Sequence, residues 1–316
     1  MKKIAFMSNQ LGERGTEVAL YDYAHFNENI LGNSSIVLYY KDHYFNCDEA
    51  IKKFKERFNV FAVESKDEID SVLLDNNIDI FYYQHGGGYN DGFLSNITKN
   101  CVHAVFGCSQ AHGDVYASIS PYVPGNDGSV PTVPYMVNLP ENLRNMREEL
   151  GIPTQTVVFG GYGGRDSFNV TYAQEAVYEV AKENPKIYFL FANFDQFSSD
   201  LPNIIYLPRI LNLERKVEFI NSIDAMIWAR NIGETYGLAI AEFSSKNKPV
   251  IAGKFGWGQA HVKFLGDKGI WYEDKESLKN IFTDFDQKEA KTRDWNAFQE
   301  FTPENVMTIF RKVFID

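Results

Sequence analysis

The chain has 316 residues, of which 44% are hydrophobic, 23% are charged and 15% are aromatic. This length is sufficient for two α/β domains of ordinary size, each with its own core. The net charge of -11 at pH 7 disfavours a nucleic-acid binder with a broad phosphate contact surface, because such proteins present basic patches. The same charge disfavours binding to an anionic membrane surface.

Cysteine content and apolar runs predict the compartment. Cys47, Cys101 and Cys108 are an odd set without metal-ligand spacing, which predicts a reducing compartment and no disulfide framework. Residues 1–8 contain too few apolar side chains for a signal-peptide core. No apolar run has the length of a membrane span. We therefore expect a cytoplasmic protein without a transmembrane segment.

The first half of the chain alternates apolar strands with helices. This alternation predicts a parallel sheet that binds ligands at the carboxyl ends of its strands. The predicted strands are residues 3–8, 35–40, 59–63, 78–83 and 102–106, and the predicted helices are residues 18–26 and 69–76.

Glycine and histidine residues follow two of these strands. Gly12 lies in the loop after the first strand, where it allows backbone to approach a ligand, although a simple strand-to-helix turn is the alternative. The loop lacks the G-x-G-x-x-G dinucleotide fingerprint. His85 follows the strand at 78–83 and precedes three glycines, so it either faces a ligand or caps the loop. His112 is a secondary candidate for contact with a substrate, and the alternative is that it is an ordinary surface histidine.

The domain boundary is predicted from turn-forming residues. Residues 121–134 are rich in proline and glycine and predict a loop, and residues 142–150 predict a short helix in the linker. We predict a first domain at 1–139 and a second domain at 140–301. A terminal helix at about 302–316 is expected to pack back on the first domain.

The second half repeats the alternation of strands and helices. The predicted strands are residues 156–160, 187–191, 203–207, 223–228 and 248–252. One predicted helix ends near residue 184, and the others cover residues 214–221, 276–282 and 303–314. Four glycines and Arg165 follow the first of these strands. A diphosphate site needs backbone that can approach the phosphates, which Gly164 allows, and a fixed cation, which Arg165 supplies. A solvated loop cation is the alternative for Arg165.

The stretch between the last two predicted strands contains Glu234 and Glu242. A loop with Glu234 leads into a helix that begins near Tyr236 or Gly237, and Glu242 lies inside that helix. The first amides of a helix lack intrahelical partners and carry partial positive charge, so they bind phosphate readily. Two carboxylates beside such a phosphate need hydroxyl partners. A nucleotide-sugar, with its sugar and its ribose joined through a diphosphate, supplies both.

These residues resemble a known motif. Glu234 and Glu242, with seven residues between them that include Gly237 and Leu238, are similar to the Glu-x7-Glu motif of retaining GT-B glycosyltransferases, and most closely to glycosyltransferase family 4. The resemblance implies an α/β fold with two Rossmann-like, doubly wound parallel-sheet domains that face a cleft. It is firm for residues 151–272 and only topological for the first 140 residues.

The family assigns roles to the motif. Glu234 would contact the donor sugar and Glu242 would hold the nucleotide ribose. The backbone that binds the diphosphate would be that of Thr235, Tyr236, Gly237 and Leu238. Family members carry Gly-Arg at the end of the first strand of this domain, but Gly161 stands at the arginine position. One phosphate cation is therefore missing, and Arg230 is the candidate replacement.

Other roles are also implied by the resemblance. Gly12 would face the donor phosphates and the acceptor, and His85 would contact the donor sugar. Arg209 and Ile210, which follow the strand at 203–207, would contact the nucleobase. The loop at 253–261 would shape the acceptor side.

The expected activity is metal-independent, retaining transfer of a sugar from a nucleoside-diphosphate sugar to an acceptor hydroxyl. Glu234, His85 and Arg165 are the expected catalytic residues, and no cofactor or metal is expected. The sequence Asp284-Phe285-Asp286 imitates the metal-binding Asp-x-Asp of another transferase fold, but it does not follow a buried strand. The donor is expected to be UDP- or GDP-linked, and the acceptor to be a carbohydrate, a lipid-linked molecule or another hydroxyl compound.

Four alternatives stay open at this point. A sugar-nucleotide epimerase of the same fold would need catalytic carboxylates and no acceptor. A non-catalytic nucleotide-sugar-binding protein would bind the donor without turnover. A nicotinamide oxidoreductase would need a dinucleotide loop, which fits the first loop poorly. A transferase that acts on DNA bases is disfavoured by the acidic charge, which makes a nucleic-acid partner unexpected without ruling it out.

Overall fold

A computed structural model describes residues 1–12, 14–198 and 201–316. The described chain divides into two compact units. Unit 1 contains Met1–Asn138 and Glu300–Asp316, and unit 2 contains Leu139–Gln299.

Unit 1 contains a six-stranded parallel sheet with the strand order β3-β2-β1-β4-β5-β6. Its elements are β1 (Lys3–Ser8), α1 (Gly15–Asn29), β2 (Ser34–Tyr40), α2 (Asp48–Lys55), β3 (Asn59–Val63), α3 (Lys66–Asp75), β4 (Ile80–His85), β5 (Lys99–Ala104) and β6 (Val115–Ser118). β4 is buried over its whole length, as expected for a strand covered on both faces. β1, β4 and β5 are neighbours, so the segments that follow them leave the same edge of the sheet.

Unit 2 repeats this plan with the strand order β14-β12-β10-β7-β8-β9. Its larger elements are β7 (Val157–Tyr162), α4 (Thr171–Glu183), β8 (Ile187–Ala192), β9 (Ile204–Leu207), α5 (Leu213–Ser222), β10 (Ala225–Trp228), β11 (Gly233–Glu234), α6 (Leu238–Ser245), β12 (Val250–Gly253), β13 (Gly258–Gln259), α7 (Ala260–Leu265), β14 (Gly269–Tyr272), α8 (Lys275–Thr283) and α9 (Gln287–Thr292). The two-stranded pair β11-β13 lies outside the main sheet. The predicted class of two parallel-sheet α/β domains is thus confirmed.

The last segment of the chain belongs to unit 1. It forms α10 (Pro303–Phe310) and a π-helical turn at Arg311–Ile315. Phe310 and Phe314 are fully buried, and their rings contact the ring of Tyr82 on β4 at centroid distances of 5.4 and 5.2 Å. These aromatic contacts join the terminal helix to the core of unit 1.

The helix predicted at residues 142–150 is wrong. The structure has turns there, with Leu143 almost fully exposed. The Asn142 side chain accepts a hydrogen bond from the Arg144 amide at 2.9 Å, and the Asn145 side chain accepts one from the Arg147 amide at 3.0 Å. These local side-chain bonds give the backbone an alternative to helical hydrogen bonding, so they favour turns over a helix.

Candidate functional site

The carboxyl edge of the sheet in unit 2 carries the Glu-x7-Glu stretch. The neighbouring strands β7, β10 and β12 end there, at Tyr162, Trp228 and Gly253. Glu234 and Glu242 lie on the connection between β10 and β12, in β11 and α6 respectively. The fold therefore brings both glutamates to the edge where parallel α/β sheets bind ligands.

Glu234 is held by two hydrogen-bond donors. The indole N–H of Trp228 donates to its Oε1 at 3.1 Å, and Arg230 donates to its Oε2 at 3.2 Å. Its strand pairs with Gly258–Gln259, and a side chain at Gly233, whose φ is 78°, would collide with the backbone of Gly258. The loop at 253–261, predicted to shape the acceptor side, thus packs directly on the segment that carries Glu234.

Glu242 is buried and its two oxygens have different partners. Lys216 on α5 donates to Oε1 at 2.9 Å, and the hydroxyl of Tyr162 donates to Oε2. The side chains of Lys216 and Glu242 are only 11% and 6% exposed. Burial, together with the adjacent Glu242 carboxylate, raises the pKa of Tyr162 well above its ordinary value, so this hydroxyl keeps its proton. Glu242 is therefore a fixed carboxylate with a cation beside it.

Helix α6 begins directly between the two glutamates. Gly237 is its N-cap residue and adopts φ 89°, a left-handed conformation that favours glycine. Tyr236 is fully buried, and its ring contacts Phe264 and Phe298 at 5.5 and 6.0 Å. Thr235 is also buried and Leu238 is half-buried. The backbone is therefore what this segment can offer to a ligand, as expected for diphosphate-binding amides.

The end of β7 and the glycine loop after it have no arginine that could bind a diphosphate at the end of the strand. A Cβ at Gly161 would lie 2.9 Å from the carbonyl oxygen of Ile227, so the backbone there leaves no room for a larger side chain. Gly164 accepts hydrogen bonds from Ser167. The Arg165 side chain is 79% exposed and pairs with Asp195 at 2.9 Å. Arg165 thus lies on the surface, whereas Arg230 contacts a motif glutamate.

Arg209 and Ile210 follow β9 at the outer side of the sheet. Both are half-buried. Strands β7 and β8 separate β9 from β10 in the sheet order. The structure therefore places these two residues after a strand of the same sheet that is separated by two strands from the strand that precedes Glu234.

In unit 1, His85 is buried at the end of β4. Its Nδ1 lies 3.1 Å from the Gly87 amide and accepts its hydrogen bond, and its ring stacks on His112 at a centroid distance of 5.4 Å. Burial and the neighbouring His112 lower the pKa of His85 to about 4. Near neutral pH His85 is therefore uncharged, and because Nδ1 accepts, its proton is on Nε2.

Gly12 and Glu17 lie together at the end of β1. A Cβ at Gly12 would lie 2.8 Å from the Phe45 carbonyl oxygen and 3.5 Å from Oε2 of Glu17, so Gly12 is enclosed by protein. Oε1 of Glu17 accepts hydrogen bonds from Gln10 at 2.8 Å and Ser8 at 3.3 Å, while Oε2 is buried without a partner among the described residues. Burial raises the pKa of Glu17 to about 7.

Sequence reasoning singled out Arg230 but missed the other three side chains that contact Glu234 or Glu242. Lys216, Tyr162 and Trp228 belong to no motif and contact Glu242 or Glu234 only in the folded chain. The only local signal is that Tyr162 and Trp228 are the last residues of β7 and β10. Among the described residues, no group of three or more histidine, cysteine or acidic side chains is arranged to hold a metal ion. Asp286, from the discounted Asp-x-Asp, caps α9.

Searches with family models and with curated proteins find nothing that matches the sequence. Solved structures do match. A glycosyltransferase from Rickettsia africae ESF-5 superposes with a TM-score of 0.67 at 14% identity, covering 100% of this chain and 99% of that one. HepE from Anabaena, in complex with UDP-glucose, superposes with a TM-score of 0.66 at 13% identity, covering 99% and 96%. MnaA from S. aureus, in complex with UDP, superposes with a TM-score of 0.61 at 12% identity, covering 99% and 96%.

These similarities extend over essentially the whole chain. Together with the two parallel sheets, they show that the chain has the fold of GT-B glycosyltransferases. Because the sequence identities are 14% or less, these structural similarities establish the fold alone. In the described ranges, no helix is both long and apolar enough to cross a membrane.

Proposed function

We propose that the chain is a retaining glycosyltransferase that transfers a sugar from a nucleoside-diphosphate sugar to an acceptor hydroxyl without a metal ion. The observation that carries this proposal is the placement of Glu234 and Glu242 at the carboxyl edge of the sheet in unit 2, with the N-terminus of α6 between them. Helix N-terminal amides bind phosphate, and the flanking carboxylates accept hydrogen bonds from hydroxyls. A nucleotide-sugar matches this sequence of groups.

The role of Glu234 follows from its partners. Trp228 and Arg230 fix its carboxylate through one donor on each oxygen. A carboxylate oxygen has two acceptor lone pairs, so each can accept one further hydrogen bond from a sugar hydroxyl. We assign Glu234 to the donor sugar.

Glu242 is assigned to the nucleotide ribose for a similar reason. Lys216 and Tyr162 occupy one lone pair on each oxygen and hold the carboxylate in place. The remaining lone pairs suit a vicinal diol. The base itself is proposed to lie near Arg209 and Ile210, and UDP and GDP are the nucleotides to test first.

The leaving diphosphate is proposed to be stabilised by groups of the protein. The α6 amides supply partial positive charge, and Arg230 and Lys216 supply full charges at the two motif glutamates. Arg165 is proposed to contact the phosphates from the surface of unit 2. We infer same-face substitution, in which the departing phosphate takes the proton of the acceptor hydroxyl, and we place no carboxylate nucleophile for a double displacement.

The test is a turnover assay with UDP-glucose, UDP-galactose, UDP-N-acetylglucosamine and GDP-mannose, each with excess chelator and with simple glycosides as acceptors. The proposal predicts nucleoside diphosphate release from one donor, with retained anomeric configuration in the product. Glu234→Gln should reduce this release about 100-fold, in the range for loss of a group that stabilises the transition state. Glu276→Gln, at an exposed glutamate on α8 in the same unit, is the control and should not change it. Equal rates in both variants would refute the assignment of Glu234.

A non-catalytic nucleotide-sugar-binding protein is the second candidate. The observation that favours it is Gly161, which leaves the strand-end position without an arginine and without room for one. A transferase lacking this cation has less charge with which to stabilise the leaving diphosphate. Tight binding of a nucleotide-sugar with no release of nucleoside diphosphate from any donor would support this candidate over the transferase.

A further inference from the structure

The indole of Trp228 donates to Glu234 and is itself contacted by two rings of one loop. Trp228 is the last residue of β10 and is buried, and its N–H group lies 3.1 Å from Oε1 of Glu234. The centroid of its ring system lies 4.3 Å from that of His261 and 6.0 Å from that of Phe255. Both rings belong to the loop at 253–261. This loop therefore contacts the group that holds the Glu234 carboxylate.

His261 is fully buried, and one hydrogen bond fixes the orientation of its ring. Its Nε2 lies 3.0 Å from the carbonyl oxygen of Gly253, the last residue of β12. Because a carbonyl oxygen can only accept, Nε2 carries the proton. Burial lowers the pKa of His261 below its ordinary value of 6.5, so the ring is neutral near pH 7 and Nδ1 is unprotonated. The imidazole is thus tied to the main sheet of unit 2.

The second ring nitrogen of His261 adds nothing to the stability of the fold. Nδ1 is buried and has no hydrogen-bond partner among the described residues. A single hydrogen bond stabilises a protein modestly, whereas a buried polar atom without a partner destabilises it by a similar or larger amount. A phenylalanine would supply a ring without that unpaired atom. Stability alone therefore does not account for a histidine at this position.

The loop at 253–261 also holds the backbone of Glu234. The amide of Gly258 donates to the carbonyl of Ile232 at 3.0 Å, beside the β11-β13 pair. A Cβ at Gly258 would lie 2.7 Å from the carbonyl carbon of Glu234. A Cβ at Gly256, whose φ is 90°, would lie 2.3 Å from the amide nitrogen of Gly233. Only glycine allows the two segments to approach so closely, so the loop fixes the backbone of Glu234 as well as its side-chain partner.

We propose that His261 is a positioning residue for Glu234 and acts through the indole of Trp228. His261 is fully buried, so it does not contact the donor itself. The proposal rests on the transferase function proposed above, in which Glu234 contacts the donor sugar. A carboxylate that is oriented before the donor binds needs no reorganisation in the transition state. A displaced indole would change that orientation and lower the rate.

The direct test is hydrogen–deuterium exchange of the indole N–H groups, followed by NMR on the full chain without nucleotide. The chain has four tryptophans, and loss of one signal in Trp228→Phe assigns the indole of Trp228. His261→Phe retains a ring but loses the bond to Gly253, so exchange at Trp228 should become about tenfold faster as its hydrogen bond to Glu234 weakens. Unchanged exchange at Trp228 in His261→Phe would overturn the proposal.

Trp295 is an internal control in the same spectrum. It is buried in unit 2, and its indole N–H donates to the carbonyl of Ala290 at 3.2 Å. Its exchange should stay the same in His261→Phe, and the melting temperature should be equal or higher, because the unpaired Nδ1 is removed. Equal acceleration at Trp295 and Trp228 would show general loosening of unit 2 and would overturn a specific role of His261.

Turnover provides the second readout. With the donor identified in the assay above, His261→Phe should lower kcat about tenfold. This loss is smaller than that for Glu234→Gln, because Arg230 still holds the other carboxylate oxygen. The affinity for UDP or GDP should not change, since neither has the sugar that Glu234 contacts. A kcat equal to that of the unaltered protein, or a tenfold loss of nucleoside diphosphate affinity, would contradict the positioning role.

Two further variants complete the test. His103→Phe is the matched control, because His103 is also fully buried with one bonded nitrogen and one without a partner among the described residues, but it lies on β5 in unit 1. It should leave exchange at Trp228 unchanged. His261→Gln can keep the bond to Gly253 but loses the ring, and it should also accelerate exchange at Trp228. Exchange at the native rate in His261→Gln would overturn the contribution of the ring contact.

The exchange measurement distinguishes this proposal from the transferase, because it needs no donor. Faster exchange at Trp228 in His261→Phe, with no turnover by the unaltered protein, supports the link from His261 to Glu234 and contradicts the transferase. Turnover by the unaltered protein, with unchanged exchange in His261→Phe, supports the transferase and overturns the role of His261.

Discussion

Two buried glutamates, one in each unit, differ in the groups that surround their carboxylates. Glu17 lies in the first turn of α1 after β1, and Glu242 lies in α6 after β10. Glu242 has Lys216 and Tyr162 as partners. Among the described residues, Ser8 and Gln10 donate to one oxygen of Glu17, and the charge of Arg14 offsets only part of the effect of burial on its pKa. A buried carboxylate must be paired or protonated, because an isolated buried charge is very costly. Glu242 thus has a cation beside its buried carboxylate, whereas burial raises the pKa of Glu17 to about 7.

The largest expected effect comes from removing the cation beside Glu242. Lys216→Met leaves a buried carboxylate without its ion-pair partner, which costs about 3–5 kcal/mol of unfolding free energy. The measurement is urea denaturation at pH 7. Lys41→Met is the control, because Lys41 and Glu64 form an exposed ion pair, and it should change the unfolding free energy far less than Lys216→Met. If the two variants lose the same stability, Glu242 is not held as a buried ion.

The next effect concerns Glu17 and pH. Its folded pKa is about 7 against an ordinary value of 4.5, so between these values the folded chain keeps a proton that the unfolded chain has lost. The unfolding free energy should therefore fall as pH rises from about 4.5 to 7, by about 3 kcal/mol in total, and be independent of Glu17 below 4.5. Denaturation of the unaltered protein and of Glu17→Gln across pH 5–8 tests this. Parallel stability curves for the two proteins would contradict a protonated Glu17.

A smaller effect separates the two candidate phosphate cations. Arg230 is half-buried and contacts Glu234, so Arg230→Gln should weaken nucleoside diphosphate binding about tenfold while leaving nucleoside binding less affected. Isothermal titration with UDP and uridine, or with the guanosine pair, measures this ratio. An equal loss for nucleotide and nucleoside would remove Arg230 from the phosphate site.

The smallest effect is expected for Arg165. The ion pair with Asp195 is exposed on both sides, so Arg165→Ala should change stability by about 1 kcal/mol or less and diphosphate affinity by at most about fivefold. The same titrations measure it. A loss for Arg165→Ala that exceeds the loss for Arg230→Gln would mean that Arg165 turns toward the phosphates when the donor binds.

The central strands could be predicted from the sequence because they are buried on both faces. Residues of β1, β4, β7 and β10 form continuous apolar runs, and such runs between turn signals predict parallel strands without further information. The edge strands β6 and β14 and the two-residue strands β11 and β13 were missed. The pairing of β11 with β13 could not have been predicted from local sequence. Their pairing depends on Gly233 and Gly258, which meet only when the loop at 253–261 folds back.

The candidate site was predicted only in part, for a similar reason. Glu234 and Glu242 are close in the sequence and were predicted together, whereas Lys216 is 26 residues before Glu242 and belongs to another helix. Its contact with Glu242 depends on how α5 and α6 pack.

The most direct test of the account is calorimetric titration of the unaltered protein and of Glu242→Gln with UDP and GDP and with their 2′-deoxy counterparts. If Glu242 receives the ribose, one ribonucleotide binds the unaltered protein about tenfold more tightly than its deoxy form, as expected for a hydrogen bond to a charged group. In Glu242→Gln this difference should largely disappear. Binding of neither ribonucleotide, or equal binding of ribo and deoxy forms to the unaltered protein, would contradict a nucleotide-sugar site at Glu234 and Glu242.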